Sequence, residues 1–195
     1  VEEGCILGTS VPNTSNSFLC TKKDYADFVF EFEFKCDPQL NSGVQIRSQS
    51  LPEYRNGRVH GYQVEIDVSE SRDRWWTAGI YDEGRRGWLH PGKGGGDGKA
   101  FTEQGRRFTK KGEWNRIRVE AVGNRIRTWL NGELRADLRD DMTPSGFIAL
   151  QVHGVGGRKD PLAVRWRNLR IQRIEDPLAV LLGDATAQVD RPVLA

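Results

Sequence analysis

At 195 residues, with 37% hydrophobic and 29% charged side chains, the chain is long enough to bury one sizeable core and has the balance of a soluble domain. Its 29 basic and 27 acidic groups leave a net charge of only +2 and are interspersed, which argues against the concentrated positive face of a nucleic-acid binder. No apolar run approaches the roughly 20 residues needed to span a bilayer, and no basic leader with an apolar centre precedes Val1, so any export signal is expected to have been removed or never to have existed.

In chain order, Cys5 and Cys20 flank an expected hairpin. They would pair in an oxidising compartment, while the plainer reading is three buried thiols, Cys36 included. Their spacing matches neither the CxxC nor the Cys/His pattern of a zinc site. Phe28, Phe30, Phe32 and Phe34 then alternate with Val29, Glu31, Glu33 and Lys35. That period of two predicts a half-buried strand with four rings on its core face. Residues 44–47 and 62–68 repeat the pattern, separated by a polar loop at 50–60 that contains Pro52, Tyr54 and Arg55. Residues 82–112 read as a longer loop with Gly92, Gly94, Gly95, Gly96 and Gly98, and loops of that length in a compact domain are commonly functional. The glycine run lacks the Lys-Ser/Thr ending of a phosphate-binding loop. Residues 116–122, the Gly123-Asn124 turn and residues 125–130 predict a hairpin, with Asn131-Gly132 as the next tight turn. Residues 147–152 and 163–171 complete the strands.

Regular strand spacing without intervening helices predicts an all-β fold, a sandwich or jelly roll rather than a parallel α/β sheet. It is expected to occupy residues 1–174 as a single domain. A tail follows at 175–195, with an apolar piece at 178–182 that suits a short helix.

Alternation also sorts the strands into faces. Val44 and Ile46 point to the core, and so do Tyr62, Val64, Ile66 and Val68, and Ile148, Leu150 and Val152. The opposite faces carry Gln45, Arg47, Gln63, Glu65, Asp67, Gln151 and His153. Any one-sided sheet exposes polar groups, so a single member of this set means little. A shared face of amides, a guanidinium, two carboxylates and an imidazole is a candidate site. Trp75, Trp76, Tyr81, Trp88 and Tyr54 fall on or near the two loops, where a ring would stack on the apolar face of a sugar. Trp114, Trp129 and Trp166 are expected in the core.

Residues 65–70 resemble the catalytic strand of laminarinase-type retaining glucanases. Their two carboxyls stand roughly 5–5.5 Å apart, and Glu65 and Glu70 would share a face only across a β-bulge.

A broader resemblance runs in order from about residue 4 to 172. Its matching pieces include Asn41-Ser42-Gly43-Val44-Gln45-Ile46-Arg47, Gly61-Tyr62-Gln63-Val64-Glu65-Ile66-Asp67 and Gly79-Ile80-Tyr81-Asp82. They continue with Arg85-Arg86-Gly87-Trp88-Leu89, Gly112-Glu113-Trp114-Asn115, Trp129-Leu130-Asn131-Gly132, Gly146-Phe147-Ile148-Ala149-Leu150-Gln151-Val152-His153-Gly154 and Val164-Arg165-Trp166-Arg167-Asn168-Leu169. These segments resemble the 3-keto-disaccharide hydrolase family, also described as 3-keto-glucoside 1,2-lyase/3-keto-2-hydroxyglucal hydratase domains. Family members carry a leading segment before the strand that starts near Gly4, so a leading strand is expected to be missing or trimmed.

The resemblance implies a two-sheet antiparallel jelly-roll sandwich of the concanavalin A-like lectin/glucanase type, a periplasmic or secreted location, and cleavage of oxidised disaccharides or glycosides. For that chemistry Glu65 or His153 is expected as base, Arg47 as the cation that stabilises an enolate, and Asp67 as acid partner or as holder of a water or metal. Gln45, Gln63, Gln151 and Tyr81 are expected to hold sugar hydroxyls, with Trp88 or Arg85 closing over from the loop. No cofactor is predicted. A carboxylate pair with His153 is a donor set that suits a divalent cation, although no spacing demands one. A non-catalytic carbohydrate-binding module and a retaining β-glucanase are the alternatives.

Overall fold

The phenylalanine-rich strand sets the architecture. In the computed structural model, which describes residues 1–68 and 73–175, Phe28, Phe30, Phe32 and Phe34 on β3 (Phe28–Cys36) are at most 3% exposed. They join one cluster with Val44 and Ile46 of β4 (Asn41–Gln49) and with Tyr62, Val64 and Ile66 of β5 (His60–Asp67). The alternating face of each strand thus faces a second sheet, as the sequence pattern requires.

The remaining strands are β1 (Ile6–Thr9), β2 (Ser17–Cys20), β6 (Ile80–Glu83), β7 (Gly87–His90), β8 (Asn115–Val122), β9 (Arg125–Leu130), β10 (Glu133–Arg139), β11 (Phe147–Val152) and β12 (Ala163–Arg173). One sheet runs β1-β12-β3-β8-β9-β10, and the other, the front sheet, runs β2-β11-β4-β5-β6-β7. All the strand pairings are antiparallel. The chain changes sheet before and after β2, between β3 and β4, between β7 and β8, and on either side of β11. That interleaving is a jelly roll, so the expected fold class holds.

Several expectations need correction. The segment at 82–112 is not one loop. It holds the end of β6, all of β7 and a helix, α1 (Gly98–Phe108). Asp97 caps α1 by accepting from the Ala100 amide at 2.7 Å, and Arg106 and Arg107 occupy its last turn, where positive charge opposes the helix dipole. Phe101 and Gly105 are its buried residues. Glycines in series hid this element, because glycine is a weak helix former.

Trp166 is buried at 1% exposure, but Trp114 and Trp129 are only half-buried. Both lie under arginines, Trp129 beneath Arg118 and Arg127 and Trp114 beneath Arg167. Cys5 and Cys20 do not flank a hairpin: β1 and β2 lie in different sheets. All three thiols are free, and Cys20 is exposed. No helix among the described residues is long and apolar enough to cross a membrane. The apolar piece at 178–182 and Glu70 lie outside the described residues.

Candidate active site

Register on the front sheet places the polar side chains in rows. Ala149 on β11 pairs with Gln45 on β4, Gln45 with Gln63 on β5, Gln63 with Tyr81 on β6, and Tyr81 with Trp88 on β7. The neighbouring row runs from Gln151 through Gly43 to Glu65, and Asn41 pairs with Asp67 beyond it. Because alternate residues share a face, these rows project away from the core, over a cleft of about 280 Å³.

Five of the expected site residues line that cleft: Gln63, Glu65, Tyr81, Trp88 and His153. Two others support it from beneath. Gln45 is fully buried and donates to the Gln63 carbonyl at 2.6 Å. Asp67, also fully buried, pairs with Arg74 at 2.9 Å, and its Oδ1 has no partner among the described residues. Gln151 shares the face but does not line the cleft. It is fully buried, and among the described residues neither its side-chain oxygen nor its nitrogen has a hydrogen-bond partner.

Arg47 is the main correction. It has φ +45°, and the β4 pairing slips beside it, between Ile46 and Gln49 toward β5 and between Phe147 and Ala149 toward β11. This β-bulge turns its side chain off the cleft face. The guanidinium, 1% exposed, donates instead to the Ala26 carbonyl at 2.6 Å, the Gly123 carbonyl at 2.7 Å and Asp27 at 2.8 Å. It ties the front sheet to the β8–β9 turn.

Arg85 is also misplaced by the sequence reading. Gly84 and Gly87, at φ +68° and +79°, turn the β6–β7 connection back toward the core side. There Arg85 donates to Asp82 and Thr143, each at 2.7 Å, and lies over the Tyr62 ring. Asp82 alternates with Tyr81 and so points away from the cleft, taking Arg85 and Arg86 with it.

The cleft holds residues that the sequence reading missed. Asn41 and Glu83 lie two positions from Gly43 and Tyr81 respectively and share their face, so extending the period of two would have found them. Arg58 and Arg74 come from loops, as does Asn16, and no periodic signal marks them. Arg74 lies over both Trp76 and Trp88, its guanidinium 5.4 Å and 5.2 Å from the ring centroids, while its Nε and Nη2 engage Asp67.

The Arg74 segment is braced from behind. Trp76 Nε1 donates to Thr102 on α1 at 2.9 Å. The buried Arg135 donates to the carbonyls of Thr77, Phe101 and Trp75. Gly105 leaves room for this contact, since a Cβ there would stand 1.9 Å from the Trp75 carbonyl oxygen.

Glu65 is the chemically distinctive group. Burial lifts its pKa from 4.5 to about 7. Hydrogen bonds from Asn41 and Gln63 and the charge of Arg74 favour the ionised form, while Asp67 opposes it. Asn41 donates to one carboxylate oxygen at 2.6 Å and Gln63 to the other at 2.8 Å. A carboxylate that is half ionised near neutrality is suited to taking and returning a proton. Tyr81 is raised chiefly by burial, so its phenol keeps its proton at neutral pH and stands as a donor. Among the described residues, no group of three or more His, Cys, Asp and Glu is gathered to hold a metal ion.

Structural comparison finds the same fold in solved proteins. A candidate glycosyl hydrolase from Parabacteroides distasonis ATCC 8503 superposes with a TM-score of 0.58 at 21% identity, over 88% of each chain. A protein of unknown function with a galectin-like fold from Bacillus subtilis gives 0.55 at 9% identity, over 86% of this chain and 88% of that one. A carbohydrate-binding module from Bacillus subtilis gives 0.51 at 13% identity, over 86% and 94%. At such identities the likeness is one of fold. No curated protein matches the chain. The sequence profile of the 3-keto-alpha-glucoside-1,2-lyase-like domain matches residues 1–172, and the chain belongs to that family.

Proposed function

We propose that this domain is a carbohydrate-active enzyme that cleaves 3-keto-glycosides, with Glu65 as the base. The observation that carries this reading is a buried carboxylate, poised near pH 7, in a polar cleft that also holds a cation and an aromatic wall. A ketone at the third sugar carbon acidifies the hydrogen on the second. Glu65 removes that proton, and the electron pair forms an enolate whose oxygen is stabilised by Arg74, which replaces Arg47 in this role. The enolate collapses to a carbon–carbon double bond between the first and second carbons as the glycosidic bond breaks. The departing oxygen takes a proton from His153 or Tyr81 and leaves as an alcohol. Water then adds at the first carbon while the second recovers a proton, so the sum is hydrolysis.

Trp88 offers a ring for the sugar face, and Gln63 and Asn41 offer amides for its hydroxyls. Arg58 pairs with Glu83 at 3.2 Å, and Arg74 pairs with Asp67, so the two arginines among the described cleft residues are partly neutralised. That balance suits a neutral sugar. A periplasmic or secreted location accompanies this reading.

The test is incubation in deuterated water with a 3-keto-disaccharide and, separately, its unoxidised parent. The expected result is cleavage of the keto sugar alone, with deuterium at the second carbon of the released keto-hexose. Glu65→Gln should abolish both cleavage and label. Cleavage of the parent, or release of unlabelled sugar, would overturn the mechanism.

A further inference from the structure

We propose that Ser48, Gln45 and Gln63 form a polarised hydrogen-bond relay that holds the Glu65 carboxylate in place and favours its ionised form. Ser48 and Gln45 are then positioning residues for a base that neither touches. The inference rests on the assignment of Glu65 as that base, and extends it to residues outside the cleft.

The relay is built from four contacts. Ser48 Oγ donates to Gln45 Oε1 at 2.7 Å, Gln45 Nε2 to Gln63 Oε1 at 2.6 Å, and Gln63 Nε2 to Glu65 Oε2 at 2.8 Å. Asn41 Nδ2 donates to Glu65 Oε1 at 2.6 Å from the other side. The direction is dictated by charge. An ionised carboxylate can only accept, so Gln63 must present its nitrogen to Glu65 and its oxygen to Gln45. Gln45 must then present its nitrogen to Gln63 and its oxygen to Ser48. Ser48 has one proton to give, and its other acceptors, the carbonyls of Ile46 and Tyr62, are longer at 3.1 and 3.4 Å. Ser48, Gln45 and Gln63 are at most 2% exposed, so no bulk water substitutes for a missing link.

The backbone is built around this chain. Simple alternation would send Ser48 to the core with Ile46. The bulge at Arg47 inserts one step, and Ser48 arrives on the side of Gln45. The feature that removes a guanidinium from the cleft face therefore delivers the terminal donor of the relay. Two glycines make room. A Cβ on Gly43 would stand 2.5 Å from Gln63 Cδ, and a Cβ on Gly61 would stand 2.4 Å from Ser48 Oγ.

Without the Ser48 proton, Gln45 Oε1 would be buried and unpartnered. Turning that amide over reverses Gln63 as well and presents an oxygen to Glu65. An oxygen neighbour favours the protonated acid. Among the described residues, the other ionisable groups around Glu65 are Asp67 on its own strand, Arg58 and Arg74 from loops, Tyr81 and Glu83 on β6, and His153 after β11. None of these lies in the relay, so its contribution is separable by substitution.

The experiment titrates Glu65 directly. Protein carrying ¹³C-carboxyl glutamate is followed by NMR against pH, with the Glu65 signal assigned by its loss in Glu65→Gln. Ser48→Ala and Gln45→Met are compared with wild type, and a pH–rate profile on a 3-keto-disaccharide is recorded for each. Both variants should raise the Glu65 midpoint by about one pH unit and move the acidic limb of kcat upward equally. Should Ser48→Ala not fold, Gln45→Met decides alone. Midpoints equal to wild type would overturn the relay. Raised midpoints in a protein that turns over no keto sugar would leave the relay standing and remove the base assignment.

Discussion

At the scale of single residues, Glu65 meets opposed demands from stability and chemistry. A buried carboxylate beside Asp67 is costly to ionise, and that cost, only partly offset by its two hydrogen-bond donors, brings its pKa to about 7. The consequence for folding has a definite sign. Below about pH 4.5 the group is protonated in folded and unfolded chains alike. Between pH 4.5 and 7 the unfolded chain releases its proton while the folded chain retains it, so stability falls as pH rises. Above pH 7 both forms are ionised and the loss is complete. The gap corresponds to about 3 kcal/mol. Urea unfolding of wild type at pH 5 and pH 7.5 should show this decline beyond that of Glu65→Gln, whose residue 65 does not titrate. Equal pH dependence in the two proteins would mean that Glu65 is not desolvated in solution.

At the scale of elements, the bulge in β4 decides which side chains the cleft receives. Alternation was legible for Gln45, Gln63 and Glu65, because each sits in an unbroken stretch where the period of two holds. It failed at Arg47, since one extra residue reverses the phase of the rest of the strand, and nothing in Ile46-Arg47-Ser48 announces the insertion. Arg58 and Arg74 were illegible for a different reason: loops have no period, and the approach of Arg74 depends on α1 and Arg135 behind its segment. The reassignment of Arg47 from cleft to sheet brace is open to measurement. Arg47→Met keeps the aliphatic stem and removes the donors to Ala26, Gly123 and Asp27, leaving Asp27 with the Gly123 amide but without its cation. It should cost about 3 kcal/mol in urea unfolding, whereas turnover per folded molecule should fall far less than in Glu65→Gln. A variant of normal stability and no activity would return Arg47 to the chemistry.

At the scale of the whole molecule, both sheets share one core, and the cleft is the outer face of a sheet whose inner face belongs to it. Phe32 is the clearest probe of that coupling. It is 1% exposed and lies on the sheet that carries no cleft strand, yet it belongs to the same buried cluster as Val64 and Ile66, which flank Glu65 in sequence. The four-phenylalanine alternation made this half of the fold readable from sequence, because a one-sided strand of such rings must meet another layer. Phe32→Ala should cost about 3–5 kcal/mol, a large part of the margin of a domain this size. Cooperativity adds a sharper expectation. If the two sheets unfold together, loss of far-UV circular dichroism and loss of keto-sugar binding should share one urea midpoint, lowered equally by the substitution. Binding that vanished well before the sheet signal would show that the cleft face opens as a separate unit, with the front sheet loosened while the other persists.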